Sequence, residues 1–252
     1  MNYTNKTAVI TGATNGIGAI CTKLFHDKGA NVVLLDVAND ESNIKDERWF
    51  YQHCDISNET QIKNAMDETI KKFGAIDYLI NNAGIVRYGT VTQTSLEDWN
   101  LVMGVNLTGM FLCAKYALPS MEKNNSGVVI NVESVQAFLS QDKVAAYTSA
   151  KSAILGLTRS IAIDYAPNIR CVAVCPGTID TPMLRNAMKL SPDPEQVLQE
   201  SIDMHILKRI GTPEEVAELI CFLCSANASF ITGQTIRIDG GLGIKLEGSK
   251  KE

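Results

Sequence analysis

The chain begins with a strand-like run, Thr7–Thr11, that passes directly into the glycine-rich turn Gly12-Ala13-Thr14-Asn15-Gly16-Ile17-Gly18 and then into an amphipathic stretch. No other feature constrains the fold as much. A helix entered through glycines behind a buried strand offers free N–H groups and a partial positive charge to an anion. The rest of the chain repeats this rhythm. Runs rich in β-branched residues at Thr7–Thr11, Asn31–Asp36, Trp49–Cys54, Tyr78–Asn81, Gly127–Val132, Arg170–Cys175 and Thr235–Ile238 read as strands. Gly16–Lys28, Glu59–Phe73, Trp99–Lys123, Ala146–Tyr165 and Pro213–Cys224 read as helices. Nearly continuous apolar strands need a sheet covered on both faces. Strand–helix alternation then predicts right-handed βαβ units in one α/β domain, residues 1–252, with a doubly wound, seven-stranded parallel sheet.

Composition agrees with a globular chain: 45% of the 252 residues are apolar, 20% are charged, and the net charge is −5. No repeat or linker divides it. The polar stretch Ile85–Glu97 and the long irregular region Thr178–Arg209 interrupt the alternation, and the second is expected to form a binding lid. The tail 243–252 is expected to fray. The only basic cluster, Lys245 with Lys250 and Lys251, is interrupted by Glu247, which argues against nucleic acid. No apolar run was found to reach the roughly 18 residues of a membrane span, and the N-terminus lacks a signal-like apolar region. These features predict a cytoplasmic protein without a membrane partner. The seven cysteines are odd in number. Cys221-x-x-Cys224 has no second pair or nearby histidine to complete a zinc site, so buried free thiols and no metal are expected.

The spacing of the turn, Gly-x3-Gly-x-Gly, differs from the Gly-x-Gly-x-x-Gly dinucleotide fingerprint, and no Gly-Lys-Ser/Thr follows that would suggest an ATP loop. Asp36 ends the second strand, 18 residues after Gly18. A carboxylate there can accept from a ribose 2′-hydroxyl and repels a 2′-phosphate. With no Lys or Arg at positions 35 and 37, this favours NAD over NADP. Tyr147 and Lys151 stand four apart on a predicted helix and share a face. An ammonium beside a phenol stabilises phenolate, so Lys151 is expected to lower the pKa of Tyr147 and make it a general acid/base. Ser134, just beyond a predicted strand, can hold the substrate oxygen.

Together these residues resemble the short-chain dehydrogenase/reductase family over about residues 6–242. The motifs occur in order: Thr11-Gly-x3-Gly-Ile-Gly18, Asp55, Asn81-Asn82-Ala83-Gly84, Asn106, Ser134, Tyr147-x3-Lys151, Pro176-Gly177-x-Ile179-x-Thr181, and Asp239-Gly240-Gly241. The resemblance implies a Rossmann-type fold and roles for these positions. Tyr147 would transfer the proton, Lys151 would assist it and bind the nicotinamide ribose, and Ser134 would bind the reacting oxygen. Asn106 would hold a relay water. Gly12, Asn15, Gly16, Ile17 and Gly18 would cradle the pyrophosphate. Asp55 and Ile56 would meet the adenine, and Asn82, Ala83 and Gly84 the adenosine ribose. Pro176, Gly177, Ile179 and Thr181 would fix the nicotinamide. Members of the family usually carry a small residue or a second serine before the catalytic serine. Here it is Glu133, which should point away from Ser134 and either pair with a cation or, the preferred reading, be solvated.

The substrate is less constrained. The loops Arg87–Tyr88, Val135–Lys143 and Thr178–His205 mix polar groups (Arg87, Gln136, Gln141, Asp142, Arg185 and His205) with apolar ones (Val86, Phe138, Met183 and Leu184), and the polar donors suit a polyol or sugar. Ser134-Val135-Gln136-Ala137 and Cys175-Pro-Gly-Thr-Ile-Asp-Thr-Pro182 resemble family members that oxidise aldoses at C1, which implies a sugar substrate, a lactone product and hydroxyl contacts from Gln136 and Arg185. A carbonyl reductase of 3-ketoacyl or hydroxysteroid type is an alternative, disfavoured by Asp36. A non-catalytic NAD-binding regulator is another, disfavoured by the intact Ser134–Tyr147–Lys151–Asn106 set. A methyltransferase leaves Tyr147 and Lys151 unexplained. The family resemblance also implies a homotetramer.

Overall fold

A computed structural model describes residues 1–40, 42 and 44–244. The expected tail 243–252 therefore lies almost wholly outside the described residues. Seven strands form one sheet: β1 (Thr7–Thr11), β2 (Asn31–Asp36), β3 (Trp49–His53), β4 (Tyr78–Asn81), β5 (Gly127–Val132), β6 (Ile169–Pro176) and β7 (Thr235–Ile238). Their order is β3-β2-β1-β4-β5-β6-β7. Every neighbouring pair is parallel. The chain reverses its direction of travel across the sheet between β1 and β4, the switch point of a doubly wound fold.

The helices are α1 (Gly16–Asp27), α2 (Glu59–Phe73), α3 (Leu96–Met103), α4 (Gly109–Lys123), α5 (Ala145–Asp164), α6 (Pro182–Met188), α7 (Pro194–Met204) and α8 (Pro213–Cys224). Side-chain alternation along each strand divides the core in two. Ala8 and Ile10 of β1 join the layer with α1 and α8, whereas Val9 joins the layer built by α2, α4 and α5. Both faces are covered, as the apolar strands require.

The strand expectations hold to within a residue or so at each end, and three helix expectations need correction. The stretch expected as one helix from Trp99 starts at Leu96, because the Ser95 side chain accepts from the Asp98 N–H at 3.0 Å and caps it. It also contains a π turn at Gly104–Thr108, which joins α3 to α4. The whole run Leu96–Lys123 is long and apolar enough to cross a membrane by length and composition, contrary to the expectation that no such segment exists, but half of its apolar stretch is buried within the fold. Finally, the region 178–209, expected to be irregular, holds α6 and α7. Each starts with proline in its first turn, and Asp193 caps α7 by accepting from the Gln196 N–H at 3.0 Å.

The seven cysteines are free and buried. Among the described residues, no group of three or more His, Cys, Asp or Glu is placed to hold a metal.

Gly18 lets α1 rest on the loop that precedes it. A Cβ at this position would lie 2.0 Å from the Gly12 carbonyl oxygen and 2.6 Å from Asn82 Nδ2. Neither the backbone oxygen nor the clamped amide can yield, so Gly18→Ala is expected to cost at least about 1–3 kcal/mol. Thermal unfolding should show this as a melting temperature lower by several degrees. An unchanged melting temperature would refute the close seat of α1 on the loop.

Candidate active site

The carboxyl ends of the strands open onto a cavity of about 920 Å³. One end is the glycine turn. Gly12 and Gly16 have φ of +60° and +52°, a backbone region costly for residues with a side chain. The Thr11 hydroxyl accepts from the N–H groups of Asn82 and Ala83, each at 3.0 Å. Asn82 Nδ2 donates to the carbonyl oxygens of Thr11 and Gly12, each at 3.0 Å. These four bonds clamp the end of β4 onto the turn. Asn15 occupies the N-cap of α1 but its side chain caps nothing, and no acidic residue lies in the first turn. The first N–H groups of α1 are thus left for an anion in the cavity. Asp36 is buried at the end of β2. One of its oxygens accepts from the Thr14 N–H at 3.0 Å and the Thr14 hydroxyl at 2.8 Å, and the other accepts from the Ala38 N–H at 3.0 Å.

Of the residues expected to meet a cofactor, Gly12, Asn15, Gly16, Ile17, Asp36, Asp55, Ile56, Asn82, Ala83, Gly84, Tyr147, Lys151, Pro176, Gly177, Ile179 and Thr181 all line this one cavity. Gly18 lies behind it, and its contribution is the packing of α1. The volume, the uncapped helix and the carboxylate at the end of β2 fit a dinucleotide.

The other end holds the expected catalytic set. Ser134 follows β5 and accepts from the Gln136 N–H at 3.2 Å through its hydroxyl. Tyr147 and Lys151 are one turn apart on α5, with the Lys151 nitrogen 5.7 Å from the centre of the Tyr147 ring. Both are buried, at 8% and 3% exposure. Lys151 Nζ donates to the Val132 carbonyl at 2.8 Å. Asn106, fully buried in the π turn, has its side chain engaged in both directions with the backbone of Ile85: its Oδ1 accepts at 2.8 Å and its Nδ2 donates at 2.9 Å. It stands behind the cavity wall, and Gly84 lies between it and Lys151.

Burial governs the proton affinities here. It pushes the Tyr147 phenol up to about 12, and the Ser134 hydroxyl pulls it only part of the way back. It pushes the Lys151 ammonium down to about 8, against the pull of Glu133. In the protein alone, loss of water sets the Tyr147 phenol, and the lysine on the next turn is not among the groups that move it.

Glu133 also requires correction. It faces away from Ser134 as expected, but it is not solvated. Only 4% exposed, it points into the layer beneath α5, where its Oε2 accepts from the Cys175 thiol at 3.0 Å and its Oε1 has no partner. Burial raises its carboxyl to about 7.

The substrate end of the cavity has two kinds of wall. The loop after β5 contributes Gln136, Ser140, Gln141 and Lys143, and the α6–α7 segment contributes Met183, Leu184, Leu190, Val197 and Met204. Gln136 is in place, its amide donating to Gln141 Oε1 at 3.1 Å. Arg185 is not: it lies outside the cavity lining, bound to Asp180 through Nε at 2.9 Å and Nη2 at 3.0 Å. His205 is buried behind the β6 loop, where its Nε2 accepts from the Thr178 N–H at 3.2 Å. Of the apolar groups expected here, Val86, Met183 and Leu184 line the cavity, whereas Leu190, Val197 and Met204 were not anticipated because α6 and α7 were not recognised. The prolines and Asp193 at their starts are the signal that would have marked them.

A family model described as enoyl-(acyl carrier protein) reductase matches residues 12–243. The chain is 36% identical over 250 residues to a 3-oxoacyl-(acyl-carrier-protein) reductase of Thermotoga maritima, covering 96% of this chain and 99% of that one. It is also 36% identical over 247 residues to a meso-2,3-butanediol dehydrogenase of Serratia marcescens, covering 96% of each. The ligand-free structure of an aldohexose dehydrogenase from Thermoplasma acidophilum superposes with a TM-score of 0.94 at 39% identity, covering 99% of this chain and 98% of that one. The chain belongs to the short-chain dehydrogenase/reductase family, whose members are nicotinamide-dependent oxidoreductases acting on CH–OH groups.

Proposed function

We propose that the protein is an NAD-dependent dehydrogenase that oxidises an aldose at its C1 hydroxyl to the lactone, with Tyr147 as the proton-transferring residue. The observation that carries this reading is a single cavity that joins Asp36 and the open start of α1 to Ser134, Tyr147 and Lys151. The 39% identity to an aldohexose dehydrogenase supports the sugar. So does the polar wall of Gln136, Ser140 and Gln141, which offers hydrogen-bonding groups to hydroxyls. Bound NAD⁺ supplies the hydride acceptor.

The protein's own residues do the rest. Gly12, Gly16 and the first N–H groups of α1 hold the pyrophosphate. Asp36 accepts from the adenosine ribose hydroxyls and excludes a 2′-phosphate through like charge. Lys151 directs its ammonium between the Val132 carbonyl and the nicotinamide ribose. Ser134 donates to the substrate oxygen and orients it toward Tyr147, which takes the hydroxyl proton as phenolate, a form that the positive charge of bound NAD⁺ beside Lys151 would favour over the buried phenol of the protein alone. Asn106 braces Ile85 beside this path and serves the relay to solvent. The α6–α7 segment forms the lid, and exclusion of water beneath it strengthens these charged contacts. Two copies of a tetramer would pair through α4 and α5.

A second reading has a specific observation behind it. The apolar lid wall of Met183, Leu184, Leu190, Val197 and Met204 suits a less polar alcohol or ketone, such as the substrate classes named for the butanediol dehydrogenase and the 3-oxoacyl reductase.

NADH formation followed at 340 nm over a panel of aldoses, polyols and apolar secondary alcohols, each with NAD and NADP, separates these readings. Turnover of aldoses with NAD is expected; turnover confined to apolar alcohols would replace the sugar with the second reading. Tyr147→Phe should lower kcat by about 10²–10⁴-fold with NADH affinity retained, and undiminished turnover would remove Tyr147 from proton transfer. Asp36→Ala should raise kcat/KM with NADP relative to NAD by at least tenfold. An unchanged ratio would take Asp36 out of cofactor selection.

A further inference from the structure

A buried ammonium needs a compensating charge, and the mechanism above leaves that of Lys151 unexplained. The register of the sheet points to its source. On β5, Val129 and Asn131 face the α5 layer, and Asn131 Nδ2 donates to the Thr158 hydroxyl of α5 at 3.0 Å. Glu133 lies two residues further along the same face, about 7 Å on. Lys151 is two turns nearer the start of α5 than Thr158, and its Nζ reaches the carbonyl of Val132, the residue before Glu133. Strand and helix therefore bring Glu133 and Lys151 into the same layer, near enough for their charges to act on each other through space but without a direct ion pair.

Charged and titratable groups surround this point from several elements. Tyr147, Lys151 and Arg159 belong to α5, Cys175 lies opposite Glu133 on β6 with Cys171 further back on the same strand, Arg237 on β7 acts on Cys175, and Tyr88 in the loop after β4 acts on Tyr147. Asn106 on the π turn is neutral. Glu133 is the one carboxylate among the described residues whose charge acts on Lys151. One of its oxygens is bound by the Cys175 thiol and the other is buried with no hydrogen-bond partner. An orphan oxygen of this kind is costly unless a nearby charge or a proton compensates it.

We propose that Glu133 is the buried counter-ion of Lys151, a positioning residue that keeps the lysine charged at the floor of the cavity. Glu133 reaches the wall of the cavity, but its carboxyl is turned to Cys175, and its effect on the reaction passes through Lys151. The direction of its effect follows from charge. A carboxylate beside an ammonium favours the ammonium, so removing it lowers the lysine pKa. That burial holds the lysine near 8 even with Glu133 in place gives the counter-ion its leverage. Its catalytic consequence rests on the proposed role of Lys151; its electrostatic content does not.

The test is an NMR titration of the ligand-free protein carrying 13Cε-labelled lysine, with the Lys151 signal assigned by its loss in Lys151→Arg. Glu133→Gln keeps the side-chain size and an acceptor for Cys175. It should lower the Lys151 midpoint by about one unit or more. In the unmutated protein the Lys151 signal should also carry a smaller inflection below its own midpoint, as Glu133 ionises, so the assignment can be judged even if the variant does not fold. An unmoved midpoint, or a wild-type curve without that inflection, would overturn the proposal. In turnover, the alkaline limb of the kcat/KM profile should move to lower pH in Glu133→Gln. A purely structural role would scale the profile without moving it, and that result also counts against the proposal. Displaced Lys151 titration in a protein that turns over no alcohol would sink the proposed activity and leave the counter-ion standing.

Discussion

The architecture depends on one close approach. At the switch point between β1 and β4, α1 comes so near the turn that feeds it that a single methyl group at Gly18 would strike the Gly12 carbonyl oxygen. Because Gly18 has no side chain, the start of α1 can sit over the carboxyl end of the central strand β1 with its N–H groups uncapped. Thr11 and Asn82 then tie the turn to the end of β4 through four hydrogen bonds. The free donors of a helix start are a liability unless something accepts from them. Here they are held at one end of a cavity, where the proposed cofactor would meet donors already in place.

At the opposite end the dominant effect is loss of water. Tyr147, Lys151 and Glu133 are all nearly buried, and each is driven toward its neutral form. Proximity of Lys151 to the Tyr147 ring does not overcome this in the protein alone. Lys151 and Glu133 are thereby brought near neutral pH, where small changes in charge move their protons. Cys175 shares the layer, but burial and the adjacent carboxyl push its thiol far up, which leaves it a hydrogen-bond donor to Glu133.

Much of this was legible in the sequence. The seven strands lie where β-branched runs predicted them, since strands buried on both faces carry a strong local signal. The glycine turn, Asp36, Ser134 and the Tyr147–Lys151 pair could be located because each occupies a strand end or helix face fixed by local periodicity. Other features were harder to read. The helices α6 and α7 are short and half-exposed, and their signal lies in caps and prolines rather than in an apolar stripe. The π turn at Gly104–Thr108 breaks no residue pattern, because it keeps the helix going with one wider turn. Arg185 looked like a substrate ligand because a charged side chain in a pocket-forming segment attracts that reading. Asp180, five residues earlier, claims it in a fork geometry that only the folded loop reveals.

Glu133 marks the boundary between the two kinds of information. From the sequence alone its strand position set which way it points, away from Ser134, because successive side chains on a strand alternate. The same local periodicity determined the sheet, its parallel sense, the anion-binding turn and the one-turn spacing of Tyr147 and Lys151. Tertiary structure decided what lies on the side Glu133 faces: a covered layer with Cys175 opposite and Lys151 above it, where water had been expected. It likewise decided that burial, rather than the neighbouring ammonium, sets the phenol's proton affinity, and that α6 and α7 give the cavity an apolar wall. Direction along a strand is a property of neighbouring residues. Burial is a property of everything packed around them, and hydration energy depends on burial.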